Sequence, residues 1–267
     1  MNGIGIFDSG VGGLTVLKAM IDILPEENYI YYCDAKNLPY GEKSPEQIRK
    51  LSYESFKIFE KNKVKASIIA CNTATTYSEA YLKTKFNFPI LGVVSSGVME
   101  GFKNSKNKKI ALIATKATVE GQVYQDQLKK LDSSFEIRAL ACPDLVTGIE
   151  MGHVDDKKVE EIIKKYLDQL EDFDYDTLIL GCTHFPLALG KIKEYLKNKK
   201  EGEKINLIDP ALETAKSMKD FLKSRNIIEK NKNIKFLTSG EDSQLREMVG
   251  KLFGQEFANK IQIEIIN

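Results

Sequence analysis

The chain has 267 residues, enough for one large or two modest domains. Apolar residues supply 42% and charged residues 29%, the balance of a soluble globular protein. Lys and Arg (39) nearly cancel Asp and Glu (38), which leaves no global field to draw nucleic acid or a membrane surface.

The lysines near 103–109 and 197–204 read as solvated loops. No apolar run approaches the roughly 20 residues that span a bilayer. The opening "MNGIGIFDSG" has neither a basic region nor a long apolar run, so it does not read as a signal peptide. Four cysteines, Cys33, Cys71, Cys142 and Cys182, include no CxxC pair and make no disulfide framework in a chain this size. The expected compartment is the reducing cytoplasm, where a free thiol persists.

Taken in order, "IGIF" at 4–7 predicts a strand, and Leu14, Leu17, Ile21 and Leu24 follow at helical spacing. "YIYYC" at 29–33 predicts the next strand. Ser44-Pro45-Glu46-Gln47 is a helix start, with a capping Ser, Pro in the first turn and Gln at the capping-box position. Ile48, Leu51, Ser55, Phe56 and Phe59 form that helix's inner face. "ASIIAC" at 66–71, a helix to about Phe86, and "PILGVV" at 89–94 complete a first set. The order then repeats. "KIALIAT" (109–115), a helix over 119–131, "FEIRALA" (135–141), a helix over 155–170, "DTLILGC" (176–182), a helix to about 197 and "INLIDP" (205–210) form the second set. Residues 211–267 hold two more helices and the short strands "IKFLT" and "IQIEII".

Strands alternating with helices predict parallel βαβ units. The repeated order predicts an α/β protein of two pseudo-symmetric α/β domains with parallel-rich sheets and a cleft between them. One crossing is expected in the charged loop 96–108 and another near 207–211. Chain economy returns the C-terminal segment to the first domain, because 57 residues make a small third core. The expected division is 1–96 plus 209–267, and 97–208.

Aligning the two sets places Cys71 and Cys182 at matched positions, each at the end of a third strand. Cys-Asn-Thr follows in one and Cys-Thr-His in the other. In open α/β sheets the carboxyl ends of strands form the ligand crevice. Facing units therefore bring one thiol to each side of a single cleft. A helix N-terminus at each cysteine is expected to lower its pKa from about 8.5 toward neutrality.

Such thiolates serve as metal ligands, nucleophiles or bases. Cys182-x-His184 is only a two-ligand fragment, whereas a structural zinc takes four N/S ligands, so no metal is expected. A thiol hydrolase pair leaves Cys71 idle, and the two-residue spacing gives a poor Cys-to-His hydrogen bond. A two-base reaction uses both sulfurs. One thiolate removes a proton from a stereocentre and a thiol on the opposite face returns one, which inverts it. Asp8, at the end of the first strand, is placed to orient or relay a proton for Cys71, or to cap the following helix. His184 is placed to serve Cys182. His153, in "MGHVDD", reads as a surface residue.

"DSGVGG" between a strand and a helix also has a nucleotide-loop reading, with Asp34 where a ribose-binding acid would lie. The glycines fall at 10, 12 and 13, and Thr15 stands where G-x-G-x-x-G needs its last glycine, so the fingerprint is not met. A two-domain amino-acid binder without chemistry needs the cleft but not the thiols.

The fragments "GIFDSGVGGLTV", "DAKNLPYGEKS", "ACNTAT" and "GCTHFPLA", in this order, closely resemble glutamate racemases, which belong to the aspartate/glutamate racemase group. The match extends to the tail "FLTSGEDSQL". The resemblance implies cofactor-independent interconversion of L- and D-glutamate, which supplies D-glutamate for peptidoglycan, by two-domain proteins that are commonly homodimers. It implies that Cys71 and Cys182 are the two acid/base residues, Cys71 acting on the D-enantiomer and Cys182 on the L-enantiomer. It carries substrate contacts to Asp8 and Ser9, Tyr40 and Gly41, Asn72 and Thr73, and Thr183 and His184. Asp34 and Glu150 match further polar positions. The N-terminal extension of some members is not expected here, nor regulation by a cell-wall precursor through it.

Overall fold

The computed structural model describes residues 2–151, 156–198, 202–229 and 231–266. In chain order, β1 (Ile4–Asp8), α1 (Leu14–Ile23), β2 (Tyr29–Cys33), α2 (Pro45–Lys61), β3 (Ala66–Ile69), α3 (Asn72–Lys83) and β4 (Ile90–Gly92) come first. A second run follows, with α4 (Val93–Asn104), β5 (Lys109–Ala114), α5 (Lys116–Glu120), α6 (Val123–Leu131), β6 (Glu136–Ala141), α7 (Pro143–Glu150), α8 (Lys157–Leu167), β7 (Thr177–Gly181), α9 (Leu189–Lys197) and β8 (Asn206–Ile208). The tail adds α10 (Pro210–Ser224), β9 (Ile234–Thr238), α11 (Ser243–Phe253), α12 (Gln255–Lys260) and β10 (Ile263–Ile265).

The strands form two parallel sheets, ordered β10-β9-β2-β1-β3-β4 and β6-β5-β7-β8. In both, the first strand of the set lies between the second and third, with the fourth outermost. The third strands, β3 and β7, therefore lie directly beside β1 and β5. β1, β2, β3 and β7 are buried along their whole length. Continuous apolar runs, rather than alternating ones, are what a parallel strand covered on both faces requires.

Alternate residues feed opposite cores. Ile4 and Ile6 of β1 pack with Leu14 and Leu17 of α1 and Met218 of α10. Phe7 faces the other way, onto Phe56 and Phe59 of α2. In the second sheet, Leu178 and Leu180 pack under α7, α8 and α9, while Ile179 meets α4 and α6. The expected capping box is present at α2: Gln47 N–H donates to Ser44 Oγ at 3.3 Å and Ser44 N–H to Gln47 Oε1 at 3.0 Å.

Several expectations need correction. The run 89–94 is a strand only over Ile90–Gly92, and most of the expected loop 96–108 is α4. Val94, Val98 and Phe102 recur at helical spacing and pack onto the second sheet, which overrides the loop reading. The helix over 119–131 is broken, because Gln122 has φ 51° and the backbone turns left-handed there. The helix over 155–170 is α8 plus a 3-10 turn, and α7 was not expected at all. The tail holds three helices rather than two. His153 lies outside the described residues.

Candidate active site

The carboxyl ends of both sheets open onto one cavity of about 240 Å³. From the first sheet come Ser9 after β1, Tyr40 and Gly41 after β2, and Cys71, Asn72 and Thr73 after β3. From the second come Thr115 and Lys116 after β5, Glu150 at the end of α7, and Cys182, Thr183 and His184 after β7. Both expected cysteines thus border the same space from different sheets. Asp8 and Asp34 are not on its wall.

Cys71 is the N-cap of α3, and its Sγ accepts the Ala74 N–H at 3.4 Å. Ser9 Oγ lies 3.4 Å from the same sulfur. The expected fall of this thiol's pKa does not occur. Burial pushes Cys71 up to about 12 and the Asp8 carboxylate adds to it, outweighing the Ser9 and Ala74 hydrogen bonds.

Cys182 Sγ is 3.6 Å from His184 Nδ1. The two-residue spacing, expected to give only a poor hydrogen bond, brings the imidazole within reach of the sulfur. Residues 183 and 184 lead into a 3-10 turn, Phe185–Ala188, which folds the imidazole back onto the sulfur. His184 Nε2 approaches Glu150 Oε1 to 2.9 Å, although the two are not aligned as a hydrogen bond. Burial opposes the charged imidazolium, but Cys182 and Glu150 outweigh it and raise His184 well above its usual value.

Asp8 lies fully buried behind the wall. Its Oδ2 accepts N–H bonds from Gly10 and Gly13 at 3.1 Å each, which braces the loop before α1. Thr183 Oγ1 reaches it from the second sheet at 3.3 Å. Burial raises Asp8 to about 6, although His184 and these hydrogen bonds pull the other way. Asp34 accepts bonds from Tyr40 and Ser239 hydroxyls at 2.6 Å each and from Asn37 Nδ2. It fixes the 3-10 turn Tyr40–Glu42 from behind.

Two glycines permit the halves to meet. A Cβ on Gly12 would lie 2.6 Å from Thr183 Oγ1 and 2.9 Å from the His184 nitrogen, and one on Gly41 would lie 2.9 Å from Thr115 Cβ. Thr73 Oγ1 is 2.8 Å from Thr115 Oγ1, a further contact between the halves.

Sequence reasoning missed Thr115, Lys116 and Thr147. Thr115 follows β5 as Ser9 follows β1, so extending the repeat to the first strands would have found it. Thr147 lies on α7, where Pro143 in the first turn is the helix-start signal that would have placed it.

The Asp/Glu/Hydantoin racemase family model matches residues 4–218. The chain belongs to that family. It is 40% identical to the glutamate racemase of Fusobacterium nucleatum subsp. nucleatum, over 95% of this chain and 94% of that protein. Among solved structures, glutamate racemase isoform RacE1 from Bacillus anthracis superposes with a TM-score of 0.92 at 34% identity, covering 100% of this chain and 97% of that one. The glutamate racemase from Francisella tularensis, in complex with D-glutamate, gives 0.88 at 32% identity, covering 100% and 97%. The family's α/β architecture is thus this chain's architecture throughout.

Proposed function

We propose that this protein interconverts L- and D-glutamate by a two-base mechanism in which Cys71 and Cys182 exchange the α-proton. The observation that carries this reading is the cavity itself: one sulfur stands on the wall from each sheet. The choice of glutamate is supported by relatives that bear that name.

In this mechanism Cys71 takes the proton from D-glutamate while Cys182 protonates the other face, and the roles reverse for L-glutamate. Burial holds Cys71 as a thiol at neutral pH. A bound substrate ammonium adds positive charge beside Cys71, which favours its thiolate when it is needed. Asp8 acts on Cys71 through its charge, and His184 with Glu150 orients Cys182. Ser9, Tyr40, Gly41, Asn72, Thr73 and Thr183 bind the substrate, and Asp34 supports Tyr40. The Ala74 N–H of α3 is taken by Cys71 Sγ, and the Asn72 and Thr73 N–H groups before it have no intrahelical acceptor, so those two are available to negative charge on the substrate. Oriented N–H groups and exclusion of water stabilise the carbanion-like state, and no cofactor takes part. The lobes divide as 1–96 plus 209–267 and 97–208, with the first boundary inside α4. The protein works in the cytoplasm as a homodimer and supplies D-glutamate for peptidoglycan.

Deuterium wash-in at the α-carbon tests this, run separately with each glutamate enantiomer and with aspartate. Either glutamate enantiomer exchanges its α-hydrogen and aspartate does not. A mere binder leaves the α-hydrogen in place. Cys71→Ser and Cys182→Ser each lower racemisation by roughly 10²–10⁴-fold, the range for a lost acid/base group. Near-normal turnover in either variant refutes the two-base assignment.

A further inference from the structure

Asn72 does not hold its own side chain. Its Oδ1 lies 2.6 Å from the hydroxyl of Tyr124, which stands on α6 and belongs with the second sheet's core. Tyr124 is fully buried and Asn72 nearly so. The phenol reaches this far because residue 97 on α4 is glycine: a Cβ there would lie 3.1 Å from the Tyr124 ring and 3.2 Å from its hydroxyl.

An amide side chain offers two donors on one atom and an acceptor on the other, so its partner fixes which end faces where. Burial raises the Tyr124 phenol well above its usual value, with Asp209 and Cys182 adding to the effect. The phenol keeps its proton, and the geometry sets the direction: the Tyr124 O–H donates to Asn72 Oδ1. Asn72 must answer with oxygen. Asn72 also lines the cavity, and the end left over is Nδ2, a donor. A donor at that wall attracts a carboxylate, whereas the flipped amide would present oxygen to oxygen and repel one.

We propose that Tyr124 is a positioning residue for the reaction: across the junction of the two halves, its hydroxyl locks the Asn72 amide with Nδ2 toward the substrate's carboxylate. This rests on the glutamate racemase reading above. It also ties Asn72's orientation to the approach of the two halves, since the donor and the amide belong to different sheets.

The test is Tyr124→Phe, which keeps the ring and removes the hydroxyl. The amide is then free to flip, and KM for both glutamate enantiomers rises about tenfold while kcat stays within about threefold, in keeping with the loss of one hydrogen bond to a charged group. Asn72→Ala raises KM at least as far, and adding Tyr124→Phe to it changes nothing more. An unchanged KM in Tyr124→Phe, or an additive loss in the double variant, overturns the proposal. A second reading does not depend on turnover. The Asn72 side-chain amide resonances, assigned by their absence in Asn72→Ala, shift in Tyr124→Phe. Unchanged resonances overturn the positioning role whatever the substrate. Absence of glutamate exchange in the wild type, with shifted resonances in Tyr124→Phe, sinks only the functional reading.

Discussion

Asp8 carries a carboxyl group into a place with no exposed surface, and that has a measurable consequence for stability. Its pKa rises from 3.8 to about 6, chiefly through burial. At about 1.4 kcal/mol per factor of ten in acidity, this amounts to about 3 kcal/mol. Below pH 3.8 both folded and unfolded states hold the proton, and the penalty is absent. As pH rises, the unfolded chain ionises first while folded Asp8 keeps its proton, so stability falls until about pH 6 and stays lowered above it. Asp8→Asn removes the titration. Asparagine can still accept from Gly10 and Gly13 through its oxygen and donate to Thr183 Oγ1. Denaturant unfolding should find the variant at least as stable as the parent at pH 7.5, by up to about 3 kcal/mol, with the gap closing near pH 4. Its turnover falls. A variant clearly less stable at pH 7.5 contradicts burial as the dominant cause. At this scale the two cysteines were legible because matched strand ends mark them. The acidity of Cys71 was not, because burial by distant chain and the charge of Asp8 outweigh the local helix start.

The strands were legible as continuous apolar runs, and their repeated order carries over into two sheets of the same sequence of neighbours. Short or irregular elements were not. "PILGVV" fits a buried strand or a helix start equally well, and the chain divides it, with β4 taking Ile90–Gly92 and α4 starting at Val93. What positions the site at this scale is the direct packing of one turn on another. The loop between β1 and α1 presses Gly12 against the 183–184 turn, where the nearest atoms include backbone that cannot swing aside. Gly12→Ala should therefore separate the two turns. Overpacking of this kind destabilises by roughly 1–3 kcal/mol, while a misplacement near 1 Å lowers kcat/KM by about 10²-fold. Gly190→Ala on the exposed face of α9 is the matched control, since nothing lies within 4 Å of a Cβ there. It should leave kcat/KM unchanged and gain up to about 1 kcal/mol from helix propensity. Equal kinetics in the two variants would mean that the loop and turn move independently.

For the whole molecule, the decisive connection is the one that fastens the tail to the first sheet. β9 pairs with β2 along its length, and Ser239 and Gln244 beyond it reach the site's supports, Asp34 and the Glu150 carbonyl. That placement depends on the other end of the strand. Lys65 and Glu27 form an ion pair at 2.9 Å with side chains only 6% and 1% exposed, burial deep enough that solvent screens little. Lys65 Nζ also donates to the Ile227 carbonyl at 2.7 Å, and Glu27 accepts the Glu229 N–H. Asn231 and Lys232 donate their N–H groups to the Glu26 carbonyl. The pair thus anchors the segment between α10 and β9 at the amino edge of the sheet, opposite the carboxyl edge that borders the cavity. Lys65→Met strands the Glu27 charge in the interior and should cost about 3–5 kcal/mol in denaturant unfolding. Glu27→Gln with Lys65→Met removes both charges and should recover much of that loss, because an unpaired buried charge is worse than none. Where the single variant remains folded, its KM should rise through loosening of Ser239 and Gln244, although residue 65 lies at the far end of β3. A loss below about 1 kcal/mol would place the pair among ordinary surface ion pairs and leave the tail held by β9 alone.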